Sequence, residues 1–209
     1  FWVGTLAFAS GFPLGVFYEI LPVWFRQQGV DLRQIGVLAL LGLPWTLKFL
    51  WAPAVDHYRH HRWWMAAADL GMGAIMIAFA AMAGFSPWVS GAIAIYTVLS
   101  ATNDIAIDGY TIEYLEQDEV GLANGVRIGL ARVGMLASGV ILILSDWIGW
   151  STAYAAVAGL LVLCAIACLL APKERMVSRE SLSTLGAELQ GIVRDPKLLG
   201  GLVVFVLVT

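Results

Sequence analysis

The sequence predicts an all-α membrane protein whose first 171 residues form a bundle of six spanning helices. Of the 209 residues, 60% are hydrophobic and 13% are charged, whereas a soluble domain has roughly half and about a quarter. One core cannot cover so much apolar surface in a chain of this length, which excludes soluble and disordered classes. The apolar residues also fall into stretches of about 20, the length of a helix that crosses a bilayer.

Six apolar stretches follow one another along the chain, and the connections between them are short. Short connections favour antiparallel neighbours in a helical bundle. The formal net charge of −3 is too small to suggest a nucleic-acid partner. The predicted spans cover residues 2–25, 34–55, 63–84, 87–112, 121–145 and 150–171.

The composition becomes polar after the sixth span. Leu182, Leu185 and Leu189 recur there at helical spacing, which predicts an amphipathic helix within a cytoplasmic linker at residues 172–197. A new apolar stretch occupies residues 198–209, so we expect the truncated start of a seventh span. The chain begins without Met and stops inside that stretch, which is typical of a fragment of a longer protein.

Basic residues are concentrated on one side of the predicted bundle. By the positive-inside rule that side faces the cytoplasm, so the N-terminus and the linker are predicted to be cytoplasmic. The opposite side carries only Arg26 and Arg33, whereas the cytoplasmic side carries Arg59, Arg62, Lys173, Arg175, Arg179, Arg194 and Lys197.

Ionisable residues far from any span end are the main functional signal. Each costs at least a few kcal/mol near the bilayer centre, so each is expected to face a polar interior and to have a partner. Four acids and three bases occupy such positions, and this near balance suggests pairing. They are Glu19, Lys48, Asp69, Asp104, Asp108, Arg127 and Arg132.

The first two spans contribute the predicted substrate site. Glu19 lies in the outer half of the first span, between Pro13 and Pro22. Its carboxyl is either a proton carrier or a satisfied structural group. Tyr18 and Trp45 are expected to face the same cavity as Glu19.

The fourth span carries a polar stripe. Its members follow one another at three- or four-residue steps, so they share one helix face that lipid would not tolerate. This face should line a cavity or a helix contact, either as an ion-pair network that locks spans together or as part of gating or coupling. The stripe consists of Thr97, Ser100, Asp104, Asp108 and Thr111.

The fifth span combines small residues with two arginines. Gly121, Gly125 and Gly129 have the four-residue spacing that lets a neighbouring backbone approach closely. Arg132 lies about 16 Å along the helix from Gly121, near mid-bilayer. Arg127 is only about 9 Å in and could extend to the cytoplasmic surface. We therefore expect Arg132, not Arg127, to join the buried charges.

These positions predict a cytoplasmic gate. Lys48 lies about 10 Å from the inner end of the second span, at a depth similar to that of Asp104. Lys48, Asp104, Asp108 and Arg132 would meet if the second, fourth and fifth spans pack together. Their ion pairs would then break and reform as the gate opens and closes.

Other reactive side chains give weaker signals. His57, His60 and His61 cluster in the connection after the second span, where they could bind a metal or form part of a solvated basic loop. Cys164 and Cys168 are expected to be core or lipid-facing residues. The sequence has no phosphate-binding loop, nucleophile elbow or metal-ligand set, so neither an enzyme nor a cofactor or metal site is predicted.

Several motifs carry a family resemblance. Asp56 keeps the acid of a G-x-x-x-D-R-x-G-R-[KR] motif in which Ala52 and His57 replace the first glycine and the arginine. More specific are residues 48–53 (KFLWAP), 103–108 (NDIAID) and 132–139 (RVGMLASG). Together they resemble the first half of a Major Facilitator Superfamily transporter, and within it the AmpG-type muropeptide permeases and the related acetyl-CoA transporter group.

This resemblance implies an inner-membrane permease that imports N-acetylglucosaminyl-anhydromuramyl peptides and is driven by the proton gradient. It implies two six-helix bundles that rock about a central site, a small-molecule solute, protons and lipid as partners, and a monomeric full-length protein. Lys48, Asp104, Asp108 and Arg132 match charged positions of the family pattern. Asp56 matches its loop motif and is expected to belong to the ion network of the gate. Glu19 and Arg127 do not match.

Three alternatives stay open at this point. Residues 43–53 and 122–125 are also similar to siderophore importers of the same superfamily. Asp104 and Asp108 could be the paired acids of a membrane-embedded enzyme acting on an acyl or lipid donor. A sensor built on a transporter scaffold would use the same spans without transport.

Overall fold

A computed structural model describes residues 1–58, 60–82, 86, 88–114 and 120–173, with the backbone alone at residue 120. All regular elements of these residues are helical. They are α1 (Trp2–Gln27), α2 (Leu32–Leu50), α3 (Ala52–Tyr58), α4 (His61–Ala80), α5 (Trp88–Tyr114), α6 (Val120–Ile148) and α7 (Trp150–Leu170).

The helices follow the six predicted spans, with α2 and α3 together in the place of the second. In the described part of the chain, α1, α4, α6 and α7 are long and apolar enough to cross a membrane. The pair α2–α3 makes a fifth span if it is counted as one helix with a 54° bend. The α5 helix has 27 residues but is not among these, because its polar stripe lowers its hydropathy. The linker expected at residues 172–197, beyond Lys173, and the seventh span lie outside the described residues.

Packing places α1 along α6, and α4 between α5 and α7. Aromatic rings fill the core at one end of this arrangement. Trp24 of α1 stacks on Phe79 of α4 at a centroid distance of 5.9 Å and meets Tyr154 of α7 edge-on at 5.6 Å. All three side chains are buried, so this cluster ties the first, third and sixth spans to one another.

Glycines allow α1 and α6 to touch backbone to backbone. A Cβ atom at Gly134 would lie 2.6 Å from the carbonyl oxygen of Phe8 and 2.8 Å from the nitrogen of Phe12. A Cβ atom at Gly11 would collide with the backbone of Ala131. These distances are shorter than van der Waals contact, so only glycine fits at both positions.

The close approach predicted at Gly121, Gly125 and Gly129 is wrong for the described residues. No described atom lies within 4 Å of a Cβ built at any of the three, and all are exposed. Four-residue spacing identified a flat helix face, but the α1 helix packs on a different face of α6, the one that carries Gly134.

We expect Gly134→Ala to destabilise the full-length protein by about 1–3 kcal/mol, because the added methyl group must push α1 and α6 apart. The matched control is Gly159→Ala on α7, where the described structure has no atom within 4 Å of the new Cβ. Thermal unfolding in detergent measures both variants. Equal unfolding temperatures for Gly134→Ala and Gly159→Ala would contradict this packing.

Candidate functional site

Charged side chains from α2, α5 and α6 meet on one side of the described bundle. Lys48 of α2 is paired with Asp104, and its Nζ lies 3.3 Å from Oδ2 of Asp108. Arg127 of α6 is paired with the other oxygen of Asp108. Ser10 of α1 donates a hydrogen bond of 2.7 Å to Asp104. We call Ser10, Lys48, Asp104, Asp108 and Arg127 the ion network.

Local structure positions these groups. Asp104 and Asp108 are four residues apart on α5 and therefore project from one face. Lys48 lies in a short 3-10 turn, Lys48–Leu50, that ends α2 just before the bend. The indole of Trp51 donates a 3.2 Å hydrogen bond to Thr102 of α5 and so holds the bend against that helix. The charged side chains of the network are 21–34% exposed, so the described residues bury none of them completely.

The prediction that Arg132 belongs to this network is wrong. Arg132 is exposed, and its guanidinium nitrogen lies 3.7 Å from the sulfur of Met135. Arg127 and Arg132 are five residues apart, which places them about 140° apart around α6. Only one of them can therefore face Asp108, and the packing of α6 on α1 selects Arg127.

Asp56 lies near the ion network in sequence but has a different neighbourhood. Its Oδ1 would be 3.2 Å from a Cβ built at Gly109 of α5, and the ring of His61 lies beside it. His61 is buried at the start of α4, with Nε2 at 4.0 Å from Glu113. His61 is therefore not part of a solvated loop. Within the described ranges, no group of three or more His, Cys, Asp or Glu side chains could hold a metal ion.

The predicted substrate residues lie at an irregularity of α1. Residues Val16–Ile20 form a π-helical turn between the two prolines of this helix. Such turns are often found at functional sites because they redirect neighbouring side chains. Tyr96 of α5 donates a 3.1 Å hydrogen bond to the carbonyl oxygen of Pro13 and so anchors the irregular region.

Tyr18 and Trp45 are in direct contact. Their rings stack with a centroid distance of 5.9 Å and an interplanar angle of 29°. Phe17 meets Trp45 edge-on at 5.1 Å. Glu19 points away from this pair toward α6, where Ser138 donates a 2.8 Å hydrogen bond to its Oε2. Gly139 gives the carboxylate room, since a Cβ there would lie 3.1 Å from Oε2.

The stacked rings of Tyr18 and Trp45 lie on the same two helices, α1 and α2, that contribute Ser10 and Lys48 to the ion network. Ser10, Leu14 and Tyr18 recur every four residues along the exposed edge of α1. Ser10 and Tyr18 are eight residues apart, or about 12 Å along the helix. Trp45 and Lys48 are separated by one short turn of α2. A single elongated solute could therefore contact both groups.

Sequence reasoning placed Asp69 in the membrane but did not identify its partners. Asp69 is fully buried, accepts a 2.9 Å hydrogen bond from Asn103 and lies 3.7 Å from the sulfur of Cys168. Ser10 and Ser138, which contact Asp104 and Glu19, were also missed. Serine is common in membrane helices without a functional role, so no sequence pattern distinguishes these two.

Comparison with known proteins identifies the family to which the chain belongs. The family model described as Major Facilitator Superfamily matches residues 3–209. The anhydromuropeptide permease of Escherichia coli K12 is 34% identical over 180 residues, which cover 80% of this chain and 36% of the permease. The putative transporter AmpG 4 of Rickettsia conorii is 27% identical over 201 residues, which cover 88% of this chain and 48% of that protein.

The chain thus spans between a third and a half of the length of these curated relatives. Their names are those of a permease and a transporter rather than of enzymes, which confirms the resemblance drawn from the motifs. The apolar helices and these matches together make it a multi-pass membrane protein. The chain belongs to the Major Facilitator Superfamily.

Proposed function

We propose that the whole protein is a secondary transporter that imports an anhydromuropeptide-like solute across the bacterial inner membrane with protons, by alternating access. The similarity to the Escherichia coli permease supports the substrate class. The ion network is the single observation that supports a moving gate, because it joins four helices through charged groups that are only partly buried. In this proposal the N-terminus and the linker at residues 172–197 are cytoplasmic.

The geometry of the ion network suits reversible pairing. Ion pairs between partly exposed groups are only weakly stabilising, so they can separate when the helices move. Separating a fully buried pair would instead leave an uncompensated charge, which costs a large free energy. Lys48 contacts both acids, so it can keep one partner while the other is released. A purely structural lock is the alternative.

Glu19 is the proposed proton-binding group. It follows Tyr18 in the π-helical turn of α1, and its carboxylate faces α6 rather than the rings of Tyr18 and Trp45. Binding a proton removes its charge and would change its interaction with Ser138. A satisfied structural carboxyl is the alternative, and loss of proton-driven accumulation separates the two.

We expect Arg127→Gln and Asp108→Asn to lower uptake of labelled anhydromuropeptide at least tenfold in cells that express the full-length gene. Each change removes a charge from the ion network. Arg132→Gln is the matched control and should retain wild-type uptake, because Arg132 lies outside the network. Immunoblots of membranes check that every variant is inserted.

Wild-type uptake by both Arg127→Gln and Asp108→Asn would refute a working gate. Impaired uptake by Arg132→Gln with normal uptake by Arg127→Gln would refute the assignment of the arginine.

We expect a protonophore to abolish accumulation by the wild-type protein, and Glu19→Gln to abolish accumulation while exchange of solute across the membrane continues. The amide can keep the hydrogen bond to Ser138 but cannot carry a proton. Asp31→Asn, at an exposed acid just before α2, is the matched control. Accumulation by Glu19→Gln equal to that of the wild type would leave Glu19 as a structural group.

A further inference from the structure

We infer that Tyr18 and Trp45, with the apolar cavity beside them, form a subsite for an N-acetylated pyranose ring. This inference rests on the proposed function and deepens it. It assigns the sugar portion of the solute to one place in the bundle and gives a reason for selecting an N-acetylated sugar over a plain one.

The ring of Tyr18 is both exposed and supported by neighbouring rings. Tyr18 is 54% exposed, so much of its ring is open to a ligand. Trp45 stacks behind it, and Phe17 meets both rings edge-on, at 5.0 Å from Tyr18 and 5.1 Å from Trp45. A rigid aromatic face of this kind fits the C–H face of a pyranose ring, which is flat and apolar on one side.

Gly42 of α2 leaves room for the aromatic rings. A Cβ atom at Gly42 of α2 would lie 3.3 Å from the hydroxyl oxygen of Tyr18 and 3.4 Å from the ring of Phe17. A larger residue would therefore crowd the rings of Tyr18 and Phe17. Glycine at this position lets α2 come close enough for Trp45 to support Tyr18.

A small cavity reaches from Tyr18 into the bundle. It has a volume of about 60 Å³, and its walls are side chains of α1, α2 and α5, among them Phe17, Leu21, Ala39 and Ile93. A cavity needs about 10–15 Å³ of such volume to hold one water molecule, so this cavity has room for a small group such as a methyl. The walls are apolar, which suits the methyl end of an acetamido group and not a hydroxyl.

The turn of α1 that carries Tyr18 also carries a hydrogen-bond acceptor, Glu19, whose carboxylate faces α6. Glu19 follows Tyr18 in the π-helical turn, and Ser138 occupies its Oε2. Among the described contacts, Oε1 accepts no hydrogen bond, so it can accept one from a hydroxyl of a solute that extends from Tyr18 toward α6. Ligand sites typically combine apolar and aromatic walls with a few polar groups, and this arrangement has both parts.

The test is direct binding to the purified full-length protein in detergent, measured by calorimetry. The probe is N,N′-diacetylchitobiose, and cellobiose, which lacks the acetamido groups, is the matched comparison. We expect chitobiose to bind at least tenfold more tightly than cellobiose. Ala39→Leu, which fills the cavity, should bring the two affinities together.

Variants at Tyr18 distinguish the loss of ring stacking from the loss of folding. Tyr18→Ala should weaken chitobiose binding at least tenfold, whereas Tyr18→Phe keeps the ring and should stay within about threefold of the wild type. Tyr58→Ala, at an exposed tyrosine of α3, is the matched control and should bind normally. Each variant is compared after it elutes as a single folded species.

Two results would overturn the subsite. The first is a wild-type protein that does not prefer chitobiose over cellobiose, including one that binds neither sugar. The second is a Tyr18→Ala variant whose affinity for chitobiose is unchanged. Failure of the proposed function has a different outcome. In that case cells would not take up anhydromuropeptide, while the purified protein would still bind chitobiose in a Tyr18-dependent way.

Discussion

The pairing of charges inside an apolar bundle is the constraint on which the described structure depends. A bilayer core offers no water to a lone lysine or carboxylate, so a charge inside the membrane is costly unless it finds a partner on another helix. Lys48, Asp104, Asp108 and Arg127 meet this requirement together, and they bring α2, α5 and α6 to one point. Ser10 adds α1 to the same group.

Close helix packing makes this meeting possible. Gly11 and Gly134 remove side chains at the contact of α1 with α6, so the two backbones touch. That contact sets the rotation of α6 about its axis. Once α6 is held in this way, Arg127 faces Asp108 and Arg132 faces outward. A methyl-sized change at a glycine is therefore connected to the arrangement of charges several turns away.

The irregular parts of the helices coincide with the proposed site. The π-helical turn of α1 carries Tyr18 and Glu19, and the 54° bend between α2 and α3 follows directly after Lys48. Irregular backbone in a membrane must have its polar groups satisfied within the protein. Tyr96 bonds the carbonyl oxygen of Pro13, and Trp51 bonds Thr102 beside the bend. These contacts come from α5 or reach it, so α5 supports both parts of the site.

The sequence by itself predicted where the long apolar helices of the described residues lie, because hydropathy and length are local properties. It predicted six spans, whereas four of the described helices, or five if the bent pair α2–α3 is counted as one, are long and apolar enough to cross a membrane. It also identified Asp104 and Asp108 as one face, since four-residue spacing on a single helix needs no neighbour to interpret. It did not determine which way the glycines and arginines of α6 face. Helical periodicity gives the depth of Arg127 and Arg132 and the angle between them, but not which side of α6 turns toward α5. Only the packing of α1 on Gly134 decided that rotation, and with it the partner of Asp108.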